Sequence, residues 1–128
     1  MTEYQPGVCN IGKAEKRKRY GLGLAGAGLT AVTASLILAN VITPVAIVGV
    51  LVFSFLAFEG LIQGYLDFCA GFASKGVYDV SEEGDNEEDV EDETARKKDK
   101  VRALQIHMYS ITGSLTVTAF VYLAITIL

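Results

Sequence analysis

The sequence has no tryptophan, two prolines, two cysteines and a single histidine among 128 residues. Its largest absence is charge over long stretches. The 39 residues from Tyr20 to Phe58 contain no Asp, Glu, Lys or Arg, and the 26 from Ala103 to Leu128 contain none either. Uncharged runs of that length exclude a soluble domain, a strand-built barrel and a wholly disordered chain. Two cysteines 60 positions apart match no metal-ligand spacing, and one histidine cannot complete a tetrahedral zinc site. There is no phosphate-binding Gly-Lys loop, no zinc helix motif and no nucleophile elbow. No cofactor is indicated, and catalysis is not expected.

What is present is hydrocarbon of the right length. A membrane span takes about 20 apolar residues, so the 39-residue stretch must turn back on itself. Asn40-Val41-Ile42-Thr43-Pro44 is the place for that turn, because Pro44 disfavours helix at Thr43 and suits the first turn of the next helix. The expected fold is all-α, an integral membrane bundle of three transmembrane helices at 20–42, 44–63 and 103–128. A cleaved signal peptide would have an apolar core of about 7–15 residues close to the basic start; the stretch here is far longer.

Ten of the eleven basic residues lie in two places. Lys13, Lys16, Arg17, Lys18 and Arg19 abut the first span, within an N-terminal segment 1–19, and Arg96, Lys97, Lys98, Lys100 and Arg102 abut the third. A two-helix hairpin separates them, so both lie on one side, and the Asn40–Pro44 turn on the other side has none. The positive-inside rule then places the N-terminus and the loop 79–102 in the cytoplasm of an inner-membrane protein, with Leu128 outside. The five cations at the first span are expected to meet lipid headgroups.

The faces of the helices indicate partners. Small residues recur every four positions at Gly23, Ala27, Ala31, Ser35 and Ala39, a groove through which helices can approach closely in lipid. The helical pattern of the second span continues past Gln63 as an amphipathic extension, 64–78. Glu59, Gln63 and Asp67 share one side with Gly60 and Gly64, while Leu61, Tyr65, Phe68 and Phe72 lie opposite. Helices that rest on lipid carry Lys and Arg on the polar face; this one carries Glu59 and Asp67. Its apolar face therefore calls for protein cover, from the third span, the N-terminal segment or another subunit. Glu59, about one turn inside the boundary, is either a functional carboxylate or one that snorkels to the interface. His107 sits at matching depth on the third span, either as an interfacial, solvated or bonded side chain or as a ligand.

Cys9 and Cys69 both fall on the cytoplasmic side. They could meet His107 near one membrane face as a thiolate or redox site, or serve as small buried side chains. The element Pro6-Gly7-Val8-Cys9-Asn10-Ile11-Gly12, with Glu15 and the basic run after it, resembles the opening of small uncharacterised prokaryotic multi-pass membrane proteins. These carry a later element similar to Phe68-Cys69-Ala70-Gly71-Phe72-Ala73-Ser74-Lys75-Gly76-Val77-Tyr78. The resemblance covers about 18 residues and implies that the two cysteine segments share one structural site. Read physically, Asn10 can cap the helix that follows, and Gly7 and Gly12 allow tight turns against a neighbour.

Between Asp79 and Glu93, ten of fifteen residues are acidic and none is basic. Such a run cannot build a core and is expected to be largely disordered. It argues against nucleic acid as a partner and lacks the offsets of a calcium loop. Three functions follow from these features. The first is an accessory subunit packing against other membrane proteins. The second is a homo-oligomeric channel or transporter with Glu59 and Asp67 on the pathway. The third is a thiol redox or metal protein using Cys9 and Cys69.

Overall fold

The computed structural model of the protein describes residues 3–128; the first two positions of the N-terminal segment lie outside them. Helix α1 spans Lys13–Leu38. A 3-10 turn, Pro44–Ala46, leads into α2 at Ile47–Tyr65. The short α3, Ala70–Lys75, is followed by strands β1, Val77–Tyr78, and β2, Glu88–Asp89, which pair antiparallel; α4, Glu93–Ile127, completes the chain. Three helical segments, Lys13–Leu38, Pro44–Tyr65 and Glu93–Ile127, are long and apolar enough to cross a membrane. The small ribbon β1–β2 and the isolated bridges Gln5–Cys9 and Ile11–Asp79 depart from an all-α fold.

The boundaries differ from those read in the sequence. Lys and Arg are good helix formers, so the basic run joins α1, which begins at Lys13 rather than Tyr20. Glu15 in its first turn receives Lys18 at 2.6 Å and Arg19 at 3.4 Å. The helix ends at Leu38, not Ile42, because Asn40 takes a left-handed conformation at φ 58° and Val41 bonds back to the Leu36 carbonyl. Thr43 is extended ahead of Pro44, as the proline ring requires. The third helix starts at Glu93, ten residues before Ala103, with the Asp92 carboxylate accepting from the Thr94 amide. Its 35 residues extend about 52 Å, more than the roughly 30 Å of a hydrocarbon core.

Helix α2 lies between α1 and α4, which scarcely touch each other. The α1–α2 seam is built on glycine. A Cβ at Gly26 would lie 2.6 Å from the Ala57 amide nitrogen, and one at Gly60 would lie 2.6 Å from the Arg19 carbonyl oxygen and the Gly23 Cα. A Cβ at Gly64 would press on the Tyr20 ring. Gly23, Gly60 and Gly64 lie in close contact across helices, whereas Ala27, Ala31, Ser35 and Ala39 are exposed. The reason is helical phase: a step of four residues turns 400° and drifts 40° each time. The buried line instead alternates threes and fours, through Gly23, Gly26, half-buried Thr30 and Thr33, and Ile37. On the other side of α2, the Phe58 ring occupies the space a Gly113 Cβ would need.

The amphipathic extension does not continue α2. The helix stops at Tyr65 and Asp67 turns left-handed at φ 54°. The cause is the N-terminal segment, whose Asn10 and Ile11 amides both donate to the Asp67 carbonyl. The apolar residues beyond the break are still covered by protein. Phe68, Ala70 and Ala73 pack with Ala103 and Ile106 of α4, and Cys69 and Phe72 pack with Ile11.

The acidic loop is ordered, against the expectation of disorder. Its side chains are mostly exposed, yet its backbone is tied down: Val90 donates to Gly76, Gly12 to Asp79, and Asp79 to Asn10. Asp79, 1% exposed, accepts from the Ser81 amide, the Ser81 hydroxyl and the Asn86 amide. The charge that prevents a hydrophobic core does not prevent a hydrogen-bonded loop closed on itself. Together with the N-terminal segment, α3 and the start of α4, it forms a polar cap at one end of the helices.

Candidate functional site

Where the cap meets the helices, α2 presents Glu59 and, one turn later, Gln63 on the side facing α4. Glu59 is 6% exposed. Its carboxylate accepts from Gln63 Nε2 at 2.6 Å and lies 2.7 Å from His107 Nδ1. Gln63 passes the connection on, its Oε1 accepting from the Ala70 amide at the start of α3 at 3.2 Å. One polar chain thus joins α4, α2 and α3. Glu59 does not snorkel; it turns inward to a histidine 48 residues away. The His107 side chain, 45% exposed, is the open end of this chain. Such an arrangement clamps two spans and satisfies a carboxylate that is costly at that depth.

The other predicted residues belong to a second cluster. Asp67 is not joined to Glu59 but pairs with Lys16 at 2.7 Å, and that hydrogen bond raises the Lys16 ammonium above its ordinary pKa. Lys18 and Arg19 are engaged by Glu15, and Lys13 pairs with Glu82 at 3.5 Å, so four of the five α1 cations face carboxylates. Asn10, fully buried, does not cap α1, since Gly12 holds the N-cap position. Asn10 instead pairs with the Cys69 backbone, Oδ1 accepting from the Cys69 amide at 2.6 Å and Nδ2 donating to the Cys69 carbonyl at 3.0 Å. Its own amide and carbonyl are also bonded, to Asp67 and Asp79. One side chain therefore serves as a short strand joining the N-terminal segment to α3.

That pairing brings the two cysteine segments together without joining the thiols, and both Cys9 and Cys69 are free. Cys9 Sγ donates to the Ile11 carbonyl, and Cys69 Sγ accepts from the Phe72 amide. Burial, with the nearby Asp67 charge, pushes the Cys9 thiol above its ordinary pKa, the opposite of an activated thiolate. His107 is engaged by Glu59 instead. Among the described residues, no group of three or more His, Cys, Asp and Glu could hold a metal ion.

Two carboxylates escaped the sequence reading. Asp99 of α4, fully buried, accepts from the Tyr4 hydroxyl and the Gly7 amide, both at 2.7 Å. Gly7 reaches it with φ 71°, a conformation glycine adopts without strain. Burial and Asp99 together push the Tyr4 hydroxyl far above its usual range, and the Tyr4 ring stacks on Tyr78 at 4.2 Å. The available signal was a lone acid inside the basic stretch Arg96–Arg102. The second is Asp79. Burial pushes its carboxyl up, but the Ser81 and Asn86 donors outweigh this and the net shift is downward from 3.8.

A lowered folded-state pKa contributes stability above the ordinary carboxylate range, and that stability is lost as pH falls through the folded value. Protection of the amides in the segment 80–90, measured against the intrinsic exchange rate at each pH, should therefore fall as the pH drops below about 4. In Asp79→Asn the same segment should be poorly protected already at neutral pH, with little further change on acidification. An acid response in the variant equal to that of the parent would show that Asp79 does not close the loop.

No family model matches the chain, and no match to it is found among curated proteins or solved structures. The functional reading rests on geometry alone.

Proposed function

We propose that this is a non-catalytic multi-pass membrane protein, an accessory subunit that packs against a larger membrane assembly. Its polar cap and N-terminus lie in the cytoplasm and the end of α4 lies outside. One observation carries the reading: the row Ala27, Ala31, Ser35 and Ala39 is exposed on α1, on a helix that α4 leaves uncovered. In lipid, rows of small side chains let helix backbones approach, and dispersion replaces the hydrophobic effect as the driving force. The channel reading is weaker because Glu59 and Asp67 are each held by an internal partner. The thiol reading is weaker because burial pushes the Cys9 thiol above its ordinary pKa, away from the reactive thiolate. The orientation is supported by the basic residues of α1 and α4 gathered at the cap end, opposite a turn that has none.

Gentle extraction from native membranes should yield an assembly much larger than 13.7 kDa. Ala27→Leu with Ala31→Leu should release the protein as a monomer, because the α1–α2 seam is on another face. A native protein that ran alone at its own mass would end the proposal.

A further inference from the structure

The cations of the two basic stretches are partnered differently. On α1, only Arg17 of the five lacks a carboxylate. On α4, among the described residues, Lys98, Lys100 and Arg102 have no carboxylate within ion-pair distance, and Lys97 reaches Glu93 only at 3.9 Å between exposed side chains. Uncompensated positive charge is therefore concentrated on the helix that was not expected to meet lipid headgroups. It borders a groove of about 430 Å³ lined by Pro6, Gly7, Lys98, Val101, Arg102 and Gln105. Arg102 gives one N–H, from Nη1, to Gln105, while its Nε–H is buried without an acceptor. A buried donor left unpaired is costly; the Nη2 end of Arg102, which has no partner among the described residues, is the part an anion in the groove would meet.

The groove's depth identifies the anion. Arg102 is the last charged residue before the uncharged run that begins at Ala103, so it stands at the edge of the apolar layer, at headgroup level. Val101 lines the groove, and below it Met108, Leu115 and Tyr122 follow at intervals of seven residues, each more than half exposed, forming an apolar track down one face of α4. Cations at headgroup level above an apolar track fit a lipid, whereas a free anion would use only the upper half.

We propose that this groove is a binding site for an anionic phospholipid. Its phosphate would be held by Lys98 and Arg102, and an acyl chain would follow Met108 and Leu115. Each basic residue beside an anionic lipid contributes roughly fivefold in affinity. The full-length protein in mixed micelles should retain phosphatidylglycerol over phosphatidylcholine in native mass spectrometry. Lys98→Gln with Arg102→Gln should lower that preference by roughly 25-fold, while Lys13→Gln with Arg17→Gln should leave it largely intact. Two results would overturn the site: equal retention of the two lipids by the parent protein, or a preference that survives the α4 substitutions. Displacement of the lipid by millimolar inorganic phosphate would also do so, because the acyl track would then contribute nothing.

Discussion

Asn10→Ala should open the cap while leaving the membrane helices in place. The substitution removes both partners of the Cys69 backbone at once, the carbonyl that accepts from its amide and the amide that donates to its carbonyl. Both backbone groups are at a fully buried side chain, with Ile11, Cys69 and Phe72 closing over the site. A buried backbone group deprived of its partner costs about 1–3 kcal/mol, so the pair should cost about 2–5 kcal/mol. The loss should be local, because α1 and α2 pack through a seam that Asn10 does not touch. Hydrogen exchange would check it: amides of residues 67–79 should exchange about thirtyfold faster or more, with the α1–α2 core unchanged. Asn10→Asp should rescue little, since it keeps the acceptor, loses the donor and buries a charge. Unchanged protection at Cys69 in Asn10→Ala would mean that water or another side chain replaces the staple.

The second large effect lies inside the apolar layer. Gly60→Val should separate α1 from α2, because the atoms nearest the new Cβ are the Arg19 carbonyl oxygen and the backbone of Gly23. Backbone cannot rotate aside as a side chain can, so the helices must move apart and lose contact along the whole seam. Overpacking in a well-packed core costs about 1–3 kcal/mol, and a backbone-to-backbone clash belongs at the upper end, about 3 kcal/mol. Gly28→Val is the matched control: nothing lies within 4 Å of its Cβ position, and the same β-branched residue enters the same type of helix. Reversible unfolding in mixed micelles should show the first variant clearly destabilised and the second close to the parent. Equal stability of the two would mean that the helices do not meet at Gly60.

The three spans were legible because they depend on a one-dimensional property, the absence of charge over a length that matches hydrocarbon thickness. The packing face was legible in kind but not in phase. Gly23 belongs equally to a row of fours and to a line of alternating threes and fours, and only the partner helix selects the second. The break after α2 was hidden because its cause lies elsewhere in the chain: Leu66 and Asp67 read as helix until the amides of Asn10 and Ile11 claim the Asp67 carbonyl. The acidic loop was misread for a related reason. Composition reports what side chains will not do, whereas the loop is closed by backbone groups and by Asp79, one carboxylate turned inward from a run of ten acids. The Glu59–His107 clamp was visible only as two residues at the same depth. Their contact depends on how α2 and α4 are rotated against one another, and no local pattern encodes that rotation.

The staples of the cap connect positions far apart in the chain. Tyr4 and Gly7 bond a residue 95 and 92 positions later, and Asn10 bonds one 59 positions later. During synthesis the amino-terminal segment is therefore made first and satisfied last. The α1–α2 hairpin can enter the membrane while residues 3–12 still await the beginning of α4, and such long-range closures are slow. A ribosome stalled before Asp99 would leave a seated hairpin with an unsealed leading end, open to any protease or chaperone on that side. The finished cap is thus a structural mark that synthesis has passed the start of α4.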